Sequence, residues 1–304
     1  MIGVGTQSKS HRTKRLLFFL GGVFTFLLIG TLAVSFVLGY GLNLRGFSRA
    51  VISLAQTVLH HTDLSRSTGE YRNIIFLHHS VGENLIDEGD LKTRFSERGY
   101  DLWDHTYNWP GLRDPAGNVL GFSYNVPNDN TDPDGLAAIF AQPVYDLPLN
   151  AFSALLQHEV IVFKTCYPTS DIQSDEILAR VKTHYLNIRD VIDQHPDKLF
   201  IVLTQPPLNP AETSQAAAIR ARAFADWVMS EEFSKGHSNL YTFDLFDHLA
   251  EKDATSTEYS MLRASFRSGS DSHPNRAANE TIAPIFVDFV TKTIEQFRAS
   301  QSAN

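Results

Sequence analysis

The chain has 304 residues, one cysteine and a net charge of −8, which leaves room for a membrane segment plus one sizeable domain. A lone cysteine, Cys166, excludes an intramolecular disulfide framework, and no Cys/His spacing matches a structural zinc site. The acidity argues against a nucleic-acid partner, which would need a basic footprint.

From Leu16 to Leu42 there is no charged residue, and the stretch is rich in Leu, Phe, Val and Gly. Crossing the hydrocarbon core takes about 20 apolar residues. Lys9, Arg12, Lys14 and Arg15 precede the run, and only Arg45 and Arg49 follow it closely. The positive-inside rule then puts the N-terminus in the cytoplasm and the rest of the chain outside. A cleaved signal peptide is the alternative, with Ala33-Val34-Ser35 as a small-x-small site. The apolar run continues through Phe36, Val37 and Leu38, however, and its length favours a retained signal-anchor. The expected division is a basic tail at 1–15, a transmembrane helix at 16–42, a juxtamembrane linker at 43–72, one domain at 73–298 and a tail at 299–304. The linker holds an amphipathic helix near Phe47–His60. Met1–Leu42 carries four basic and no acidic residues, so the remaining chain carries −12.

Beyond the linker, β-prone runs stand at Asn73–His78, Tyr100–Trp103, Glu159–Lys164, Lys198–Thr204 and Asn239–Phe243. Helical patterns separate them at Gly82–Glu97, Asp171–Gln194, Ala211–Glu232 and Asn275–Arg298. Strands alternating with helices of that length predict βαβ units and a parallel sheet covered on both faces. The fold class is therefore α/β, a three-layer α/β/α flavodoxin-like domain with about five parallel strands. The stretch Asp104–Asn150 is too long for a plain connection, so it is expected to be functional or to carry small elements of its own. Asn130-Thr131-Asp132-Pro133-Asp134-Gly135 copies half of a calcium loop but lacks the closing glutamate, so stacked Asx-turns in a substrate-binding loop are expected instead.

The first run, Ile74-Ile75-Phe76-Leu77-His78-His79-Ser80-Val81-Gly82, delivers a serine to the C-terminal end of a strand and turns at once into a helix. A hydroxyl there lies near helix-opening N–H groups, which stabilise negative charge. Serine needs a base to act as a nucleophile, and the base needs an orienting carboxylate. Asp271-Ser272-His273-Pro274-Asn275 supplies an acid and a histidine in one turn. A parallel sheet gathers its strand ends into one rim, so the distance along the chain is no obstacle. The competing readings are an N-cap for Ser80, a loop histidine for His273, and an Asx-turn or cap of the last helix for Asp271.

Together, Leu77-His78-His79-Ser80-Val81-Gly82, Ser270-Asp271-Ser272-His273-Pro274-Asn275 and the proline-rich exit Leu203–Pro210 resemble the SGNH/GDSL hydrolase family over about Asn73–Phe297. The resemblance implies a serine esterase without an organic cofactor: Ser80 as nucleophile, His273 as base and Asp271 as its orienter. It differs from the family pattern where His78-His79 replace Gly-Asp, and where the acid stands two rather than three residues before histidine. By the same resemblance the oxyanion donors would be the Ser80 amide, Gly111 (with Gly121 as competitor) and Ser170, the nearest counterpart of the family's asparagine. The aromatic group Trp103, Tyr107, Trp109, Phe122 and Tyr124 either packs in the core or lines a substrate slot, with Trp109 the substrate-binding candidate. Expected partners are an ester-bearing small molecule, glycan or lipid, with O-acyl groups of extracytoplasmic glycans favoured, and the membrane through the N-terminal helix. Two other readings stay open. One is a non-catalytic glycan-binding or envelope module on a degenerate hydrolase fold. The other is a metal-dependent phosphoesterase using His78 or His79, although no carboxylate stands at ligand spacing beside them and no metal is expected.

Overall fold

The computed structural model describes residue 25 and residues 28–60, 68–106, 111–126 and 131–302. Its centre is a six-stranded sheet of β1 (Asn73–Leu77), β2 (Asp101–His105), β3 (Leu112–Arg113), β4 (Val160–Phe163), β5 (Leu199–Leu203) and β6 (Leu240–Phe243). The order across the sheet is β3-β2-β1-β4-β5-β6. All pairs are parallel except β2 with β3, where Asp104 faces Arg113 and His105 faces Leu112. Leaving out the antiparallel edge, the five parallel strands read 2-1-3-4-5 in chain order, the doubly wound arrangement of flavodoxin-like folds.

β1, β4 and β5 are buried along their whole length, as strands covered on both faces must be. Alternation divides their side chains between two layers. Ile75, Leu77, Ile161, Phe163, Phe200 and Val202 join one core, together with α4 (Pro133–Phe140), α5 (Ala151–Leu155), α6 (Asp175–Ile192) and α7 (Gln215–Val228). Ile74, Phe76, Leu102, Val160, Val162, Ile201 and Leu203 face the other core, under α2 (Ser80–Glu88), α3 (Leu91–Ser96) and α10 (Arg276–Gln301). Three shorter or outlying helices complete the architecture: α1 (Leu44–His60), α8 (Glu231–Ser234) and α9 (Leu245–Leu249).

Several expectations are corrected. The helix expected over Gly82–Glu97 is two helices, because Asp90 takes a left-handed conformation (φ 54°) just after Gly89. Ala211–Glu232 likewise resolves into α7 and α8. β2 runs two residues beyond Trp103, which brings Asp104 and His105 into the sheet. The long Asp104–Asn150 region carries small elements of its own, as expected: β3 and α4. Pro133, Asp134 and Gly135 open α4, so that part of the stretch is a helix start rather than stacked Asx-turns; Asn130 lies outside the described residues. Among the described residues no helix is long and apolar enough to cross a membrane. Residues 16–24, 26 and 27 of the Leu16–Leu42 run lie outside the described residues, and 28–37 is helical.

Candidate active site

The nucleophile candidate is built by the end of β1. The ladder reaches one residue past the strand, where the His78 amide donates to His105 O at 3.0 Å. His79 then leaves the sheet in an extended conformation as the N-cap of α2, its side chain making no capping bond, and Ser80 is the first helical residue. Ser80 is therefore not the cap, and its hydroxyl is free to face outward beside the unpaired N–H groups of the first turn. The turn is tight because position 82 is glycine. A Cβ there would stand 2.4 Å from the Cβ of His78, so the helix could not approach the strand end so closely with any other residue.

The second half comes from the loop before α10. His273 accepts the Ser80 hydroxyl at Nε2, 2.7 Å away, and its Nδ1–H donates to Asp271 Oδ1 at 2.7 Å. The His273 backbone N–H donates to the same carboxylate oxygen at 3.1 Å. These two hydrogen bonds hold the Asp271 carboxyl below its ordinary value. Asp271 and His273 meet at the site while Ser272 between them is buried. The Asx-turn expected for Asp271 is thus present, but the cap of α10 is Asn275, whose side chain accepts from the Ala278 amide. An edge-to-face ring contact with Tyr167, 5.6 Å between centroids, closes His273 on another side.

The loop is braced from the proline-rich turn after β5. Buried Asn209 donates through Nδ2 to Gly269 O and Asp271 O, both at 3.1 Å, and its own amide donates to Ser272 Oγ at 2.9 Å. Ser272 in turn donates to the Glu212 carboxylate. The sequence singles out this turn for its prolines; the asparagine that does the fastening was not singled out.

Beneath Ser80 lies a buried polar cluster that sequence reasoning missed. His78 bonds the His79 carbonyl through Nδ1 and Asp104 Oδ2 through Nε2, each at 2.9 Å. Asp104 also meets Arg113 Nε at 2.8 Å and Lys92 Nζ at 2.7 Å. Burial alone would raise the Asp104 carboxyl, but the hydrogen bond and charge of His78 and the charges of Lys92 and Arg113 outweigh it and hold the group well below the carboxylate range. With both His78 nitrogens engaged, neither has a lone pair free for a metal. Among the described residues no group of three His, Cys, Asp or Glu side chains is arranged to hold a metal ion. The signal that existed was a carboxylate, Asp104, directly after the apolar Leu102-Trp103 of a strand next to β1.

The other candidates are distributed differently. Gly111 opens β3 at the carboxyl end of β2 with φ 88°, and a Cβ there would come within 2.5 Å of Phe122 O. Only glycine fits that rim position. Ser170 is buried, donates its hydroxyl to Pro206 O at 2.5 Å and donates its amide to Tyr167 O at 2.9 Å. Both its donors are spent inside the protein, so Ser170 ties two turns together and faces no reacting group. Phe122 and Tyr124 belong to the core, with Trp103 packed against it. Trp109 and Tyr107 lie outside the described residues. A cleft of about 390 Å³ between Asp132–Asp134, Pro168 and the α6 residues Ile177, Arg180 and His184 starts one residue from Tyr167.

No protein-family model matches this chain, and no curated protein matches it. Among solved structures it is similar to a Bacteroides fragilis protein described as a "putative acylhydrolase". The TM-score is 0.46 and the identity 10%, over 79% of this chain and 97% of that one.

Proposed function

We propose that the domain is a serine esterase or acyl hydrolase of the SGNH kind. The observation that carries this reading is the relay from Asp271 through His273 to Ser80, with both links at 2.7 Å, at the carboxyl rim of a parallel sheet. Nδ1–H is held on Asp271, which leaves the Nε2 lone pair aimed at the Ser80 hydroxyl. As the Ser80 oxygen attacks an ester carbonyl carbon, Nε2 takes the hydroxyl proton and then returns it to the departing alcohol oxygen. Water, activated by the same nitrogen, adds to the acyl-serine and releases the acid. The oxyanion formed on attack is assigned to the Ser80 amide at the opening of α2 and to the Gly111 amide. Ser170 would have to abandon Pro206 to contribute, so it is given a holding role.

In this reading the N-terminal run anchors the enzyme, with the domain on the extracytoplasmic side. O-acyl groups of glycans are the favoured substrate class, and the cleft beside Tyr167, which offers Arg180 and His184 next to apolar Ile177 and Pro168, is their candidate seat.

The test is labelling of the purified protein with a fluorophosphonate, followed by mapping of the modified residue. Modification at Ser80, together with loss of both labelling and aryl acetate hydrolysis in folded Ser80→Ala, is the expected result. Wild-type-like turnover by Ser80→Ala would remove the proposal.

A further inference from the structure

Helix α1 is inside out. A surface helix ordinarily turns its apolar stripe to the core and its polar side to solvent. Here Gly46, Ala50, Ser53 and Thr57, spaced at helical intervals, are the buried residues, while Leu44, Val51, Ile52, Val58 and Leu59 point away, with Leu44 and Val58 75% and 74% exposed. The side of small residues is the one that is fastened, with Ala50 and Leu54 packed against Leu38 and Tyr40. Tyr40 OH donates to Ser53 Oγ at 3.1 Å, Thr57 Oγ1 donates to Pro148 O at 2.9 Å, and Arg49 reaches Val126 O at 2.5 Å. A Cβ at Gly46 would stand 2.2 Å from Tyr40 O, so the small inner residues allow the close seat. The helix is thus held in a definite orientation that presents an apolar face outward, broken only by Ser48, whose hydroxyl is returned to Arg45 O, and such faces mark an interaction surface.

Two observations identify what covers it. The uncharged run Leu16–Leu42, long enough for a bilayer, ends two residues before α1, and its described part also exposes Leu28, Ile29, Phe36, Val37 and Leu42. The first acidic residue of the chain, Asp63, comes only after α1. Between Leu16 and Asp63 there is no Asp or Glu, and the part of the chain on α1's side of the membrane carries Arg45 and Arg49 there, in a protein that is otherwise strongly acidic. A cationic, acid-free segment with an apolar face fits an anionic phospholipid surface. We propose that α1 lies flat on the bilayer, with Leu44, Val51, Ile52, Val58 and Leu59 at the level of the acyl chains and exposed Arg45 at the phosphates.

The test uses the full chain in vesicles of phosphatidylcholine and phosphatidylglycerol with brominated acyl chains. A polarity-sensitive fluorophore is placed in turn on Leu44→Cys, Val51→Cys, Val58→Cys and, as a control, exposed Thr183→Cys on α6; native Cys166 is buried. From position 44 to 58 a helix rises about 21 Å. A flat helix gives similar, several-fold quenching at 44, 51 and 58 and none at 183. Quenching at 44 that vanishes at 51 and 58 would overturn the proposal while leaving the membrane span intact. No quenching at any position would overturn both. Energy transfer between labelled copies at 58, without lipid quenching, would assign the face to a second copy and overturn the lipid assignment. Val51→Glu with Val58→Glu, checked for native circular dichroism, should lose the quenching reported from a label on Ile52→Cys.

Discussion

At the scale of single residues, the acid of the relay is the informative position. Asp271 is an exposed carboxylate whose two hydrogen bonds both come from His273. Asp271→Asn keeps the size and leaves the Asn275 cap of α10 untouched, but it favours the wrong imidazole tautomer. Turnover should fall by up to about four orders of magnitude, with the denaturation midpoint unchanged. Measuring kcat for Asp271→Asn beside His273→Ala checks this: equal losses place the acid in the relay, while a near-normal rate for the first leaves a Ser80–His273 dyad. Asp104 offers the opposite expectation. Its side chain is fully buried between Lys92, Arg113 and His78. Removing one partner of a buried ion pair leaves the others uncompensated, so Asp104→Asn should cost about 3–5 kcal/mol in urea unfolding.

At the scale of elements, the site depends on pieces that fasten one another. α2 is set against β1 by Gly82 and His78, and the histidine loop is hung from the turn after β5 by Asn209. Asn209→Asp preserves the shape but replaces the Nδ2 donor by an acceptor facing two carbonyl oxygens. It should lower kcat tenfold or more and destabilise the protein by about 1–3 kcal/mol. Asn209→Ala should reproduce the loss. Full activity in both variants, read by aryl acetate hydrolysis, would mean that the loop holds its own geometry without the brace. The turn Cys166–Ser170 is tied to the same exit through Pro206, so the rim behaves as one connected frame.

At the scale of the whole molecule, two buried histidines set the response to acid. His105 donates through Nδ1 to Thr106 O and accepts the Tyr124 amide at Nε2. His158 bonds Asn73 Oδ1 and the Tyr124 hydroxyl. Burial pushes His105 down to about 4 and His158 down to about 3. An unfolded histidine takes its proton near pH 6.5, so between about 6.5 and 4 the unfolded chain holds more protons than the folded one. Stability is then full above that window and falls as the pH drops through it, by on the order of a few kcal/mol. Urea midpoints at pH 7.5, 6 and 5 should decrease in that order, and the decrease should shrink in His158→Gln. A flat profile would contradict the assignment of neutral buried rings.

Much of the fold was legible in the sequence because it depends on local regularities. Continuous apolar runs identify strands covered on both faces, and three- and four-residue spacing identifies α6, α7 and α10. Ser80 could be read because strand, serine and glycine are adjacent, and His273 because its acid lies two residues away. What stayed hidden is what depends on neighbours across the sheet. Asp104 looks like the start of a loop until the register of β1 with β2 sets it against Phe76, next to His78. Asn209 is one polar residue in a proline-rich turn until the loop at 269–273 folds onto it. Ser170 is a donor candidate only through the family resemblance, and its proton goes to Pro206, whose carbonyl is 36 residues away in the chain. Periodicity and adjacency belong to the sequence; hydrogen-bond partners far apart in the chain exist only once the strands are paired.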